Sequence, residues 1–449
     1  MNQLWISLLM AGTALAASAG VLARTVRAQI AAGWTSTSTF ILVIAWLYFV
    51  PSTMIQVRGA RTTIVDPFSN KVVVVDPAIV GFQRLLTPAM IGIGLVVFLY
   101  WTLLRRRRPR LAPILAIGIA IISTVVTANQ GGSVFDVRQA AVVSLLLAAS
   151  VAPGGRGGVL GVAAVGVSVA IASGFLAVVN YGYALRDCRL DKCGLLGHLY
   201  YGIFTDENTL AVIMAVALPC IFLAFSGKSR LWLTLYVAGM VVATGSRSGL
   251  FAAVVTVAVL LLTRPRLTRA LQPGAAMCVR LVALGGTMVG VALPLMAFEP
   301  GTFTGRAGLW ELARQQLSQS IWWGLGGKAW SANVNSGLIT ADQAYSVHNQ
   351  WLEAGYTGGV VGFALLVLLA AVMAATGRSE RPALSLVVLL PVIVLGIFER
   401  PLAFTSLDVF TWIFPAVFLA LPDRRAGTSA LNQSAGVGAS AAEPAWVSV

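Results

Sequence analysis

The 449-residue sequence predicts an all-α fold, a polytopic transmembrane helical bundle of about 12–13 spans with one large external loop. Three observations predict it. The chain is 58% hydrophobic and only 10% charged, whereas soluble domains carry roughly a quarter charged residues. Apolar runs close to the ~20 residues that a spanning helix needs recur along the whole chain, separated by short polar breaks. The charges in those breaks alternate in a way that fixes the two sides of a membrane.

The runs fall at 4–23, 40–50 (extended back to Trp34), 85–104, 111–128, 139–152, 159–179, 209–225, 231–243, 249–263, 279–298, 358–375, 384–398 and 409–421. The first lacks the basic start of a signal peptide, since Met1-Asn2-Gln3 precedes it and Arg24 and Arg27 follow it, so it reads as a membrane helix. If it were cleaved, twelve spans would remain. Taking alternate breaks from Arg24 onward, one set holds 18 of the 31 Lys and Arg with only Glu380, Asp423 and Glu443 as acids. The other set holds 13 basic and 13 acidic residues, so the whole +15 excess lies on one side. The positive-inside rule makes that side cytoplasmic, with the amino end outside. These cations flank helices, as anchoring to anionic membrane lipid requires, and no nucleic-acid motif accompanies them.

Residues 1–422 therefore read as a single bundle, and 423–449, rich in Ala, Ser and Gly, as a disordered cytoplasmic tail. The external segment 51–84, with Asp66-Pro67, a run of valines at 72–75 and Asp76-Pro77, reads as a strand pair or an amphipathic cap. Cys220 and Cys278 lie in apolar runs and read as buried small hydrophobes. Cys188 and Cys193 lie in an external loop where a disulfide is permitted; the spacing leaves bonded and free forms open.

The longest polar stretch is 299–357, predicted outside, with Trp310, Trp322, Trp323, Trp330 and Trp351, five of the twelve tryptophans. Leu309, Leu312, Ala313, Gln316 and Leu317 share one helical face, which would lie at the membrane interface. Loops of this size are uncommon unless functional.

Phosphate-binding loops, zinc helices, nucleophile elbows and Cys-x-x-Cys pairs are absent from the sequence. Two histidines, His198 and His348, are too few for a His-rich metal site, so no metal is expected. Missing carboxylate pairs within the helices weaken an ion-coupled transporter. What remains is polar and cationic, at outer helix ends. Arg247, in Thr244-Gly245-Ser246-Arg247-Ser248-Gly249, suits a phosphate oxygen; its bland reading is an Arg that snorkels or meets an acid from a neighbouring loop. Arg306 opens the amphipathic helix, where a cation is unfavourable without a negative partner; otherwise it is a solvated loop residue. His348, followed by Asn349, is suited to proton transfer, although a lone His is more often structural. His198, beside Tyr200 and Tyr201, reads as structural. Asp206, ahead of Asn208, reads as an ordinary helix cap.

His348-Asn349, nine residues, Gly359, two residues, Gly362 resembles the His-Asn-x9-Gly-x-x-Gly signature of the O-antigen ligase/polymerase superfamily. The turn at 245–249, the Thr304-Gly305-Arg306 segment and the Asn208 helix start are similarly ordered, so the resemblance covers about 205–365. It implies a fold similar to the lipid-sugar-dependent glycosyltransferases of GT-C type. It also implies metal-independent transfer of a glycan from a polyprenyl diphosphate carrier to a glycan or lipid-glycan acceptor, on the outer face of the bacterial cytoplasmic membrane, with no cofactor. Arg247 and Arg306 would then bind the diphosphate, His348 would act as base or assist the leaving group, and Asn208 and Asn349 would support them. The thirteenth helix and the Cys188–Cys193 loop depart from the family pattern. The alternative, a flippase or transporter of lipid-linked sugars, would place charge at mid-membrane.

Overall fold

The structure, a computed structural model, describes residues 3–58, 77–131, 136–189, 192–262, 272–340, 343, 345–375, 382–405 and 407–421. Seventeen α-helices are found among them: α1 (Gln3–Leu22), α2 (Arg24–Gly33), α3 (Ser36–Arg58), α4 (Pro77–Leu99), α5 (Leu111–Asn129), α6 (Val137–Val151), α7 (Arg156–Val179), α8 (Tyr181–Ala184), α9 (Glu207–Ala224), α10 (Gly227–Thr244), α11 (Arg247–Leu262), α12 (Gln272–Ala292), α13 (Arg306–Leu317), α14 (Ala329–Ala332), α15 (Gln350–Ala375), α16 (Pro382–Leu395) and α17 (Ile413–Ala420). A two-residue antiparallel pair, β1 (Leu185–Arg186) and β2 (Leu199–Tyr200), is the one sheet among the described residues. This is a polytopic helical membrane protein.

Every one of the thirteen apolar runs overlaps a helix. Eight helices are long and apolar enough to cross a bilayer, whereas α6, α11 and the apolar part of α16 are shorter. The last run is helical only over Ile413–Ala420. Both ends of the segment 51–84 are helical: α3 continues through Pro51 to Arg58, and α4 begins at Pro77. The valines at 72–75 and the tail 423–449 lie outside the described residues.

Backbone satisfaction dictates this architecture. In hydrocarbon each N–H and C=O needs an internal partner, which a helix supplies within its own segment. Tight helix–helix contact comes from small residues: a Cβ on Gly249 of α11 would lie 2.5 Å from Ala211 Cβ of α9, so only glycine allows these two helices so close. Of the eight spans, α9 is the most enclosed, with 78% of its window buried. It packs against α7, α10, α11 and α16.

The 299–357 stretch is not one loop. Its last residues form the first turns of α15, which starts at Gln350 and breaks at Gly359 (φ 61°, ψ −156°). Residues 321–326 pass into the break, where Leu325 and Gly326 donate backbone N–H to Tyr356 and Thr357 carbonyls at 2.7 and 3.1 Å. Val360 donates in turn to Ile321 O at 2.9 Å. The broken turn is thereby satisfied by protein.

The amphipathic helix also departs from expectation. The apolar face of α13 turns into the protein instead of lying on the membrane interface. Leu309, Trp310 and Ala313 form a second core with Trp330, Ile339, Val347, Leu352 and Tyr356. Trp310, Trp330 and Trp351 are buried, while Trp322 and Trp323, within the inserted segment, are exposed. A local apolar partner outcompetes lipid for that face.

Candidate functional site

The site is assembled where the start of α15 meets the end of α16. Gln350 N–H donates to Gly396 O at 2.9 Å. The Gln350 side chain and the Leu402 backbone exchange two bonds of 3.1 and 2.9 Å. Asn349 is fully buried and bonds in both directions. Its amide Nδ2 donates to Gly290 O and Ile397 O at 2.9 Å each, and its Oδ1 accepts from Trp351 and Leu352 N–H at 3.0 and 2.8 Å. Asn349 thus caps α15 and ties it to α12 and to the segment after α16.

That clamp fixes His348. The residue adopts φ 57°, a left-handed conformation that side chains other than glycine's adopt at some cost. Its N–H donates to Ser346 Oγ at 3.1 Å. The preceding Val347 gives its N–H to Glu353 Oε2 at 2.9 Å and accepts the Trp310 indole N–H at 3.1 Å. Glu353 is held in turn by the buried Arg400, at 3.2 Å, which also reaches Asp408 at 2.8 Å.

The residue that organises the site was not singled out from the sequence. Glu399 is 4% exposed and receives three groups from three elements. Arg306, the first residue of α13, donates to its Oε1. Ser248, in the first turn of α11, donates to the same oxygen at 3.2 Å. His348 Nδ1 lies 3.2 Å from Oε2. Burial pushes the Glu399 carboxyl up, but Arg306, His348 and Ser248 outweigh it and hold the pKa at about 2. An ionised carboxylate only accepts, so Nδ1 carries the proton of this bond, and in the neutral imidazole Nε2 holds the lone pair.

Arg306 is delivered by unusual backbone. Phe303, Thr304 and Gly305 all take positive φ, at 55°, 63° and 83°. The Phe303 ring packs against Phe298, Trp310 and Phe398 with centroids 5.1–5.5 Å apart. Since Phe398 precedes Glu399, this aromatic group sets Arg306 beside its carboxylate. The negative partner that a cation at a helix start requires is therefore Glu399.

A second polar group continues from Ser248. Ser246 precedes α11, and its Oγ donates to Asn208 Oδ1 at 2.8 Å. The Ser246 and Ser248 hydroxyls are 3.3 Å apart; with one proton each, they point it outward, to Asn208 and to Glu399. Asn208 Oδ1 also accepts from Lys192 Nζ at 2.8 Å, and Lys192 pairs with the buried Glu207 at 2.8 Å. Asp206 caps α9 through Thr209 N–H at 2.8 Å. Arg247, between the two serines, is exposed. His198 stands apart, 3.6 Å from Asp187.

The structure thus brings Arg306 and His348 onto one carboxylate, places Arg247 beside Ser248, and sets Asn208 and Asn349 beneath the two turns. Sequence reading missed Glu399, Ser246, Ser248 and Lys192. The available signal was Glu399-Arg400, adjacent opposite charges directly after an apolar run. Two recesses lie elsewhere. One of about 430 Å³ is lined by Arg84, Arg138, Lys328 and Asp136. The other, about 200 Å³ and apolar, is lined by residues including Leu295, Leu317, Ile321, Trp351, Leu352 and Phe363.

Arg247, Arg306 and His348 thus gather at helix ends of a polytopic bundle, the last two on the buried Glu399. Residues 231–367 match the O-antigen ligase family. The match holds Arg247, Arg306, His348, Asn349, Gly359 and Gly362, while Lys192, Asn208 and Glu399 fall outside it. Among curated proteins nothing matches the chain.

Proposed function

We propose that the protein transfers an oligo- or polysaccharide from a polyprenyl diphosphate carrier to a hydroxyl of a glycan or lipid-glycan acceptor, on the outer face of a bacterial cytoplasmic membrane. The observation that carries this reading is the sharing of Glu399 by Arg306 and His348. One group suits the charge of a departing diphosphate, the other suits removal of a proton, and a single carboxylate holds both.

In this mechanism Arg247 and Arg306 bind the diphosphate. His348 Nε2 accepts the acceptor hydroxyl's proton as its oxygen attacks the anomeric carbon. The bond from that carbon to the diphosphate oxygen breaks, and the electron pair leaves with the diphosphate. Guanidinium groups meet the developing charge, so no resident metal is invoked. Arg306 shifts from Glu399 towards the phosphate, which leaves the carboxylate to His348 and Ser248 and favours the imidazolium that forms. The apolar recess begins at Trp351 and Leu352, within a turn of His348 along α15, and suits the prenyl chain.

Replacing Arg247, Arg306 or His348 singly by Ala in cells tests the reading. Loss of the glycan ladder at normal protein level is expected, with transfer reduced by about 10²–10⁴-fold. Unchanged ladders in all three would sink it. Accumulated single carrier-linked repeats would indicate a polymerase, and accumulated long carrier-linked chains a ligase.

A further inference from the structure

We propose that the disulfide-closed loop between β1 and β2 is a working part of the site, with Lys192 as a positioning residue for the Arg247 turn; this rests on the transferase reading above. Cys188 and Cys193 are bonded, closing a short ring that carries Arg189 and Lys192. The ring presents both cations to one carboxylate: Arg189 at 3.0 Å and Lys192 at 2.8 Å from Glu207 Oε1. The Lys192 side chain is only 8% exposed. Burying an ammonium is costly unless it is paired and hydrogen-bonded, and here both conditions are met by the first two residues of α9.

The second bond of Lys192 leads to the site. Asn208 Oδ1 accepts from Lys192 Nζ and Ser246 Oγ, both at 2.8 Å. Ser246 N–H is held by Thr244 Oγ1 at 3.1 Å, and Ser246 Oγ accepts from Gly249 N–H at 3.4 Å. Ser248, two residues on, donates to Glu399. Each joint in this series fixes the backbone that bears Arg247.

A separate contact supports the same conclusion. Gly245, the left-handed residue between α10 and α11 (φ 70°), lies so close to the loop that a Cβ there would meet Gly194 Cα at 2.8 Å. Gly194 follows Cys193 directly. The loop therefore presses on the turn by backbone contact and holds it through Lys192, from two sides. A ring serving only the stability of β1 and β2 would have no need to reach α11.

The consequence is specific: loosening the ring weakens diphosphate binding without unfolding the bundle. Undecaprenyl diphosphate in detergent, titrated into the purified full-length protein and followed by tryptophan fluorescence, supplies the readout. The test variants are Cys188→Ser/Cys193→Ser, and Lys192→Met combined with Glu207→Gln so that no buried carboxylate loses its partner. Both are expected to raise Kd about tenfold with Tm within a few degrees of wild type. Lys192→Arg, which keeps the charge, is expected to retain most of the affinity. Unchanged Kd in both folded variants would overturn the proposal. Arg247→Ala and Arg306→Ala distinguish the two readings: if these also leave Kd unchanged, the diphosphate assignment itself has failed, whereas weakened binding in them alone rejects only the role of the loop.

Discussion

At the scale of single residues, the site turns on one buried carboxylate. Glu399 is held ionised by Arg306, His348 and Ser248 against the cost of burial, with its pKa down at about 2. A depressed carboxylate contributes stability that is complete above its ordinary value near 4.5 and is lost as the pH falls towards 2. Glu399→Gln removes that contribution. The Tm gap between wild type and this variant should therefore narrow as the pH falls from about 4.5 towards 2; a gap that stayed constant or widened over that range would contradict the assignment. Transfer by the variant should fall as well, because Arg306 and His348 lose the group that orients them. Legibility at this scale followed chemistry. Arg247 and Arg306 stood out as cations on the side opposite the basic excess, and His348 as one of only two histidines. Glu399 did not, since a lone acid after an apolar run reads as the polar end of a span, and nothing local signals that His348 lies across from it.

At the scale of elements, the break in α15 decides how the site is built. The sequence shows a helix beginning near Gly358, because glycine pairs ordinarily mark helix ends. In the structure the helix begins eight residues earlier, at the Asn349 cap, and Gly359 interrupts it so that residues 321–326 can enter. That conformation belongs to glycine alone, and a Cβ would meet Trp322 O at 2.2 Å. Gly359→Ala should cost at least about 1–3 kcal/mol, visible as a lowered Tm in detergent. Gly12→Ala in α1, where a Cβ meets nothing within 4 Å, serves as the matched control and should be neutral or slightly stabilising. Equal Tm values for the two variants would remove the argument that the inserted loop supports the break. The α13 face was misjudged for a related reason: its spacing shows which side is apolar, but not whether lipid or a neighbouring segment covers it.

At the scale of the whole molecule, the runs of apolar residues made the helical bundle legible, and their charge alternation gave each loop a side. Several of the helix ends that the alternation assigns to one side converge in the structure. The N-termini of α9, α11 and α15 meet the C-termini of α10, α12 and α16 through named hydrogen bonds. Expected outside, this end should be reachable from without. Ser331→Cys should react with a membrane-impermeant maleimide in spheroplasts, and Arg108→Cys only after permeabilisation; the reverse pattern would invert the topology. The sequence carries no cue to the acceptor, because selectivity among sugars lies in the shape of a binding site and not in its charge. The central claim is that Arg306 and His348, held by Glu399, transfer a glycan without a resident metal. Its most direct test is transfer by the purified protein from a polyprenyl diphosphate-linked glycan in the presence of a chelator. Wild type should remain active, with Arg306→Ala and His348→Ala folded but at least about 100-fold slower. Full activity in either variant, or loss of wild-type activity to the chelator, would contradict the account.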